Sequence, residues 1–186
     1  SMLSENECKM LPHLIAAGDQ MEDIFWMQAY GNRDELLDSI KDPALREYAK
    51  LNYGPWDRIG GNISFIEGVG DKPEGSGFYP KDVSKEEFEA AAAVNPDLKG
   101  LYTMVVRDAD ETLRAIPYHE AFAAQMQTAA DELRAAAELA DDPGLKNYLS
   151  LRADALLTSD YRASDMAWMD MKDNRIEVVI GPIETY

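Results

Sequence analysis

The sequence is poor in the residues that build disulfides and metal centres. Its 186 residues include one cysteine, Cys8, and two histidines, His13 and His119. A single cysteine excludes a disulfide within the chain and fits a reducing compartment, so we expect a cytoplasmic location. Two histidines and one cysteine do not make an ordinary zinc site unless carboxylates supply most of the ligands, so no metal site is predicted within this chain.

Positive charge and long apolar runs are also scarce. Lysine and arginine total 18 against 35 acidic residues, which gives a formal net charge of −17 at pH 7. Such a chain repels phosphate backbones, and its basic residues are scattered singly, so no nucleic-acid partner is expected. No run approaches the roughly 18 apolar residues of a membrane span, so no membrane partner is expected either. A composition of 46% hydrophobic and 28% charged residues is typical of a globular protein.

Helical patterns fill residues 1–52. Apolar residues recur at spacings of three and four over 8–30, which predicts an amphipathic helix. Asn32 is suited to cap a second helix, and Asp42 with Pro43 is suited to begin a third.

Residues 53–82 interrupt the helical pattern. Their core stretch contains seven glycines and three prolines, in "NYGPWDRIGGNISFIEGVGDKPEGSGFYP". A loop of this length is uncommon in a compact domain unless it forms a binding surface or a lid. We predict that Tyr53, Trp56 and Tyr79 contribute to a cleft wall. The alternative, that these aromatic rings fill gaps between helices, stays open and is the commoner outcome.

Residues 83–186 are expected to form helices, a hairpin and a final strand. Ser84 and Glu87 have the spacing of a capping box. Two runs rich in β-forming residues, separated by a polar turn, predict a hairpin over 101–117, and 175–180 is predicted to be the last strand. The fold class that follows is mainly α with a small β component (α+β), a multi-helix domain with a β-hairpin and a C-terminal strand.

Two apolar groups are expected to pack within the helices of this last part. An alanine-rich stripe at helical spacing predicts a long buried helix before the Asp-Pro-Gly turn. The following "SDYRASDMAWMDM" predicts another helix, with Met166, Trp168 and Met169 as its packing residues.

Catalytic patterns in the residues themselves are incomplete. His119 and Glu120 could begin a zinc-binding helix, but Ala123 and Ala124 stand where a second histidine would be needed. The glycine-rich stretches lack the spacing of a phosphate-binding loop, and no R-E-x-x-E-E box of the Nudix type is present. No serine or cysteine nucleophile is expected to have a histidine partner. These patterns alone therefore give no complete active site.

Several stretches of the sequence carry a family resemblance. They read "YGPWDR", "GSGFYPKDVSKEEFE", "IPYHEAF", "LSLRADALLTSDYRASDMAWMD" and "VVIGPIETY". Together they resemble the dipeptidyl peptidase III family, and more narrowly its bacterial and plant zinc-hydrolase-like branch. The resemblance runs from about 53 to 186 and extends more loosely to the N-terminal helices. Its most specific part is the family's Gly-x-x-Glu-x-Tyr stretch, here Gly181, Glu184 and Tyr186.

The resemblance implies roles for two residues of that stretch. Glu184 is expected to bind the free amino group of a peptide substrate, because a carboxylate pairs with an ammonium group. Tyr186 is expected to donate a hydrogen bond to the scissile carbonyl as the oxyanion forms, which favours the transition state over the ground state.

The resemblance also implies a larger, zinc-dependent parent. The family's zinc motifs lie further toward the C-terminus and are not in this sequence, so residues 1–186 are expected to be the N-terminal portion of a metallopeptidase that removes dipeptides from peptide N-termini. This portion would form one wall of the substrate cleft and be inactive alone, with zinc bound in the parent. Its expected partners are a peptide substrate, the C-terminal half of the same protein, and a second copy bound through an exposed docking face.

Two other interpretations stay open. The chain is alternatively a non-catalytic, acidic helical interaction domain, or a family member that binds peptides without cleaving them. These interpretations differ from a peptidase in what the complete gene encodes and in whether its product cleaves peptides.

Overall fold

The computed structural model describes residues 3–182, and in them helices dominate. The predicted fold class, mainly α with a small β component, is confirmed. None of the described helices is long and apolar enough to span a membrane. In chain order the elements are α1 (Glu5–Ala29), α2 (Arg33–Ser39), α3 (Pro43–Asn52), β1 (Trp56–Asp57), β2 (Ile63–Ser64), α4 (Lys85–Val94), a 3₁₀ helix (Pro96–Lys99), β3 (Thr103–Arg107), β4 (Leu113–Pro117), α5 (Tyr118–Ala121), α6 (Ala123–Leu139), α7 (Pro143–Thr158) and α8 (Arg162–Asp170).

The described residues divide into two compact units. The first consists of 3–24 with 117–182, and the second of 25–116. Helix α1 supplies residues to both.

The first unit is built on the packing of α7 against α6 and α8. The predicted alanine-rich stripe of α6 is confirmed as core, since Met126, Ala129, Leu133 and Ala136 are completely buried. Small alanine side chains let neighbouring helix axes approach closely. Burying each large side chain of such a core contributes on the order of 1.5–3 kcal/mol.

Side-chain caps fix the start of several helices. The Asp142 carboxylate accepts a hydrogen bond from the Leu145 N–H at 2.7 Å, and Pro143 occupies the first turn of α7. In the second unit, Asn32 caps α2 by accepting from the Glu35 N–H at 3.1 Å. Each such cap satisfies a backbone donor that has no partner within its helix.

The second unit contains two small apolar clusters. One joins Trp26 of α1 to Leu36, Leu37 and Ile40 around α2 and to Ala49 of α3. The caps at Asn32 and Asp42, both predicted from the sequence, begin these two short helices.

The other cluster lies between α4, the 3₁₀ helix and the hairpin. It consists of Ala92, Leu98 and Val105, with Tyr79 and Phe88 packed against them. Strands β3 and β4 pair with each other, so the hairpin predicted over 101–117 is confirmed. The Ser84 hydroxyl accepts from the Glu87 N–H at 3.1 Å and caps α4 as predicted.

Two predictions about strands are wrong in detail. Residues 175–180 form no strand with any partner among the described residues. Exposed and buried side chains nevertheless alternate at the end of this stretch, as in a strand, because Val179 is 62% exposed while Ile180 is 6% exposed. The loop 53–82, by contrast, contains the antiparallel pair β1–β2, in which Trp56 faces Ser64. Strands of two residues are too short to show an alternating pattern.

The complete burial of Leu133 gives a first prediction. Replacement of Leu133 by alanine should lower the free energy of unfolding by about 2–5 kcal/mol, because it opens a cavity in the α6 stripe. The measurement is urea denaturation followed by circular dichroism. Leu51→Ala is the matched control, since Leu51 is 76% exposed on α3 and its loss should change stability by no more than about 0.5 kcal/mol. Equal effects of the two variants would contradict the assignment of the core.

A second prediction concerns the ion pair between α4 and β3. Arg107 donates from Nη1 and Nη2 to the two carboxylate oxygens of Glu87, at 2.6 and 3.0 Å, and from Nε to Asp82 at 2.8 Å. These hydrogen bonds hold the pKa of Glu87 below its ordinary value of 4.5. A lowered pKa in the folded state stabilises the protein above the unfolded pKa, and this contribution is lost as the pH falls through the folded pKa.

Glu87→Gln should therefore lower the free energy of unfolding at pH 7 and flatten its decline as the pH drops below 4.5. Glutamine still serves a capping box, so the change isolates the charge. Urea denaturation at pH 7 and at pH values below 4.5 measures both effects. Glu86→Gln, on the exposed neighbour in α4, is the control. Identical pH profiles for the two variants would refute the role of the pair.

Candidate functional site

The most highly organised polar group of the first unit surrounds Arg152 on α7. The Arg152 side chain is only 9% exposed, and its Nη2 donates to Oδ1 of Asp165 at 2.5 Å. Its guanidinium lies 5.4 Å from the ring centre of Tyr148 and 5.1 Å from that of Tyr161. A buried cation is costly unless it is paired, and here one carboxylate and two aromatic faces compensate the charge. We call Tyr148, Arg152, Tyr161 and Asp165 the Arg152 group.

Local structure explains how these side chains meet. Tyr148 and Arg152 are four residues apart on α7 and therefore share one face of that helix. Ser159 ends α7 in the left-handed conformation, with a φ of 59°, and Tyr161 directly precedes α8. Asp165 then lies in the first turn of α8. The α7–turn–α8 unit thus brings a carboxylate and a second ring to the arginine.

The chain segment 178–182 lies against the Arg152 group. A Cβ atom built on Gly181 would be 3.7 Å from Nη1 of Arg152 and 3.8 Å from Cε1 of Tyr161. Ile180 and Pro182 are buried. Those two distances are ordinary van der Waals contacts, and the φ of Gly181 is not in the left-handed range, so sterics do not require glycine there.

Burial also affects Tyr148. It raises the pKa of Tyr148, against the smaller lowering effects of the Arg152 charge and the backbone N–H of Ile180 beside its hydroxyl. Neither neighbour has the geometry of a full hydrogen bond, and the Tyr148 hydroxyl and the Arg152 Nε have no hydrogen-bond partner within residues 3–182. Among the described residues, the group therefore leaves these two polar atoms unpaired next to the segment 178–182.

The two residues predicted to contact substrate follow this segment directly. Glu184 and Tyr186 lie outside the described residues, so their roles stay predictions. The structure places the three residues before Ile183 against a buried, charged group that the sequence patterns did not identify.

An apolar cavity of about 310 Å³ adjoins the Arg152 group. The prediction that Met166, Trp168 and Met169 pack in the core is wrong, because they are 53%, 36% and 60% exposed. Helix α8 instead buries the small side chains of Ser164 and Ala167, so its larger apolar residues are left on the surface. The cavity is lined by Tyr148, Arg152, Asp165, Trp168, Met169 and Val179.

Two of the three predicted cleft-wall aromatics adjoin each other in the second unit. Tyr53 caps α3 in the left-handed conformation and contacts Phe25 edge to face, with ring centres 4.5 Å apart. Trp56 is buried, and its indole N–H donates to the Gly70 carbonyl at 2.9 Å. Both residues line a cavity of about 10 Å³, which has room for one water molecule at most.

Tyr79 belongs to the other cluster of this unit. Its ring packs edge to face on Phe88, with centres 5.2 Å apart. The structure therefore brings Tyr53 and Trp56 together but not Tyr79 with them, and all three make packing contacts within the unit. Their contribution to a substrate cleft stays a prediction.

A wider, polar basin of about 450 Å³ is formed by the same loop. Lys72 lines both this basin and the small cavity beside Tyr53. Burial, and to a smaller extent the charge of Arg58, lowers the pKa of Lys72. The basin is lined by Gly61, Asn62, Asp71, Lys72, Pro73, Glu74, Gly75, Ser76 and Phe78.

The structure also pairs a histidine with a serine, which sequence spacing did not indicate. His119 Nδ1 is 2.9 Å from the Ser159 hydroxyl, and its Nε2 is 3.8 Å from the Glu120 carboxylate. Forty residues separate His119 and Ser159, so only the fold could bring them together. As to metals, no three His, Cys, Asp or Glu side chains within 3–182 lie close enough to hold an ion.

Two solved structures are similar to this chain. No family model matches the chain. The chain is similar to DPP III from Caldithrix abyssi, with a TM-score of 0.90 and 41% identity over 97% of this chain and 36% of that chain. It is also similar to dipeptidyl-peptidase III from Corallococcus sp. strain EGB, with a TM-score of 0.84 and 34% identity over 91% of this chain and 34% of that chain.

A curated plant protein is a more distant relative. Nudix hydrolase 3 from Arabidopsis thaliana is 27% identical over 244 residues, covering 99% of this chain and 32% of that protein. The chain therefore spans about a third of the length of each of these three proteins. In its fold, it corresponds to part of two dipeptidyl peptidase III structures.

Proposed function

We propose that this chain belongs to the dipeptidyl peptidase III family and is part of a zinc-dependent metallopeptidase that removes dipeptides from peptide N-termini. The observation that carries the proposal is the similarity to DPP III from Caldithrix abyssi, with 41% identity over 97% of this chain and a TM-score of 0.90. The second dipeptidyl peptidase III structure supports it, at 34% identity over 91% of the chain. In this proposal the protein acts in the cytoplasm, in keeping with its single, exposed cysteine.

The part proposed for this chain is to bind and orient the peptide at one wall of the cleft. Glu184 pairs with the free amino group and so fixes the position of the substrate's N-terminus. Tyr186 donates its phenol hydrogen to the carbonyl oxygen that becomes negative in the transition state. Ile180 and Pro182, which precede these residues in the chain, are buried.

Zinc does not fit the residues of this chain. His119 and Glu120 are followed by alanines where a second histidine ligand would stand, and His119 faces Ser159. In this proposal zinc is held by residues outside 1–186. The chain alone is proposed to be inactive and to need the remaining part of the polypeptide, with a second copy as a further possible partner.

Three alternatives lead to different outcomes in experiment. The name of the plant relative suggests a Nudix hydrolase, and this chain covers 32% of that protein. A peptide-binding member of the family without peptidase activity would bind peptides and leave them intact. An acidic interaction domain would do neither.

The product of the complete gene should decide among these alternatives. We expect it to contain zinc, to release dipeptides from dipeptidyl arylamides, and to lose this activity with a chelator and regain it with zinc. An N-acetylated arylamide is the matched control substrate, because it lacks the ammonium group. Hydrolysis of nucleoside diphosphates without peptidase activity would favour the Nudix alternative. Peptide binding without cleavage would favour the non-cleaving one.

A variant of the terminal segment tests the residue assignment. Glu184→Ala should raise KM for the free-amine substrate and lower kcat/KM by about tenfold to a hundredfold, because a charge-assisted hydrogen bond contributes about 1.5–3 kcal/mol. The N-acetylated substrate should be affected much less. Glu177→Ala, at an exposed glutamate of the same segment, is the control. Unchanged kinetics in Glu184→Ala would remove this residue from the site.

A further inference from the structure

We propose that the polar basin formed by residues 61–78 binds the carboxylate of a small polar molecule, such as the C-terminal end of a short peptide, and that Lys72 is the residue that binds it. The basin has a volume of about 450 Å³ and lies within the second unit. Two hydrogen-bonded walls and a lysine without a carboxylate partner carry the inference, which is independent of the proposed peptidase function.

The first wall of the basin is the turn between β1 and β2. The Asp57 carboxylate accepts from the N–H groups of Ile59 and Gly60, at 3.1 and 2.8 Å. The Asp57 carbonyl accepts from the Asn62 N–H at 2.7 Å. These bonds fix a turn in which Gly61 and Asn62, two residues that line the basin, are left-handed, with φ of 80° and 60°.

The second wall, residues 71–78, is fastened to α1. The Gly77 N–H donates to the Gln28 carbonyl at 2.8 Å, and a Cβ on Gly77 would be 2.9 Å from the same oxygen, so only glycine can approach the helix this closely. Before it, Gly75 and Ser76 are left-handed, with φ of 75° and 50°. A left-handed residue other than glycine costs free energy, and such residues cluster at ligand sites. Each wall contains one.

Both ends of the second wall are held by buried neighbours. At one end, the Trp56 indole N–H of β1 donates to the Gly70 carbonyl at 2.9 Å, which joins the two walls. At the other end, the Val105 N–H of β3 donates to the Phe78 carbonyl at 2.9 Å. Trp56 and Val105 are both buried. The basin is therefore formed before any ligand arrives, as is usual for small-molecule sites.

Lys72 lies where a bound anion would be most useful. It lines both the basin and the small cavity beside Tyr53, and it is half-buried. No carboxylate in the described part of the chain is within ion-pair distance of its ammonium group. Burial and the charge of Arg58 lower the pKa of Lys72, so the folded protein leaves this cation poorly compensated. A carboxylate bound in the basin would supply a charge-assisted hydrogen bond.

The charges around the basin favour a ligand with a single negative charge. Arg58 lines the inner cavity with Lys72, while Asp71 and Glu74 line the basin and are exposed. Two cations and two carboxylates leave little net charge locally. A phosphate carries nearly two negative charges at pH 7, and the net charge of −17 repels it more strongly than a carboxylate. The class of ligand is therefore a monocarboxylate.

The rest of the lining suits the polar groups of such a ligand. The Asn62 amide and the Ser76 hydroxyl face no side-chain hydrogen-bond partner among residues 3–182. One offers two N–H donors and an acceptor, and the other offers one donor and two acceptor positions. Amide groups of a short peptide could use both. A volume of about 450 Å³ is within the range of small-molecule sites.

The test is protection of Lys72 from acetylation in the product of the complete gene. Limited treatment with an N-hydroxysuccinimide ester, followed by mass spectrometry, reports on each lysine separately. The probe is N-acetyl-alanyl-alanine, and its C-terminal amide is the matched control, because the two differ only in the carboxylate. A Kd of about 1 mM is ordinary for a ligand of this size, so roughly 10 mM probe should slow acetylation of Lys72 about tenfold. Lys81, which is exposed and does not line the basin, should be unaffected.

Variants test the lysine directly. Lys72→Met should weaken calorimetric binding of the probe about tenfold or more, because a hydrogen bond to a charged group is lost. Lys72→Arg should retain most of the binding, and Lys81→Met should leave it unchanged. Circular dichroism checks that each variant folds, and protection of Lys72 in the wild-type protein needs no variant.

Several outcomes would overturn the inference. They are no protection of Lys72, equal protection by the acid and its amide, and equal protection of Lys72 and Lys81. Protection by inorganic phosphate as strong as that by the probe would refute the assignment to a monocarboxylate. The N-acetylated probe lacks the ammonium group on which the proposed function depends, so failure of that function would appear separately, as a wild-type protein without peptidase activity.

Discussion

The enclosure of one cation between two aromatic rings is the interaction on which the candidate site depends. Arg152 is held by Asp165, Tyr148 and Tyr161, and within residues 3–182 the one carboxylate paired with it is partly exposed to water. Each partner comes from a different place in the α7–turn–α8 unit, so the group forms only when both helices are in position. Gly181 lies beside this group, since a Cβ built on it would be 3.7 Å from Nη1 of Arg152 and 3.8 Å from Cε1 of Tyr161.

The second unit contains an arginine, Arg107, in a different environment from that of Arg152. Arg107 meets two carboxylates, those of Glu87 and Asp82, in hydrogen bonds that join a helix to a hairpin. Both carboxylates remain partly exposed, so these ion pairs add little to the free energy of unfolding. Their main effect is to fix the position of helix α4 relative to the hairpin. Arg152 has one carboxylate partner among the described residues, and its side chain is 9% exposed against 18% for Arg107, so burial of its charge is less well compensated.

Features that depend on neighbouring residues, such as helix caps, were predicted correctly from the sequence. Features that depend on contacts between distant residues were missed. The caps at Asn32 and Ser84 follow from one residue and its next turn, and both are correct. The face of α8 was assigned wrongly, because large apolar residues are expected inside and here Ala167 and Ser164 allow closer packing. Nothing in the spacing of Arg152 and Gly181 indicates that they meet, since folding alone brings them together. The resemblance named Glu184 and Tyr186, whose placement lies outside residues 3–182.

The net charge of the chain affects which charged groups it attracts. With a formal net charge of −17, the chain repels the phosphates of a nucleoside diphosphate at long range and attracts the ammonium group of a peptide. The same field draws a group with a free ammonium toward an acidic surface. The net charge of this chain thus favours cationic partners over phosphate-bearing ones.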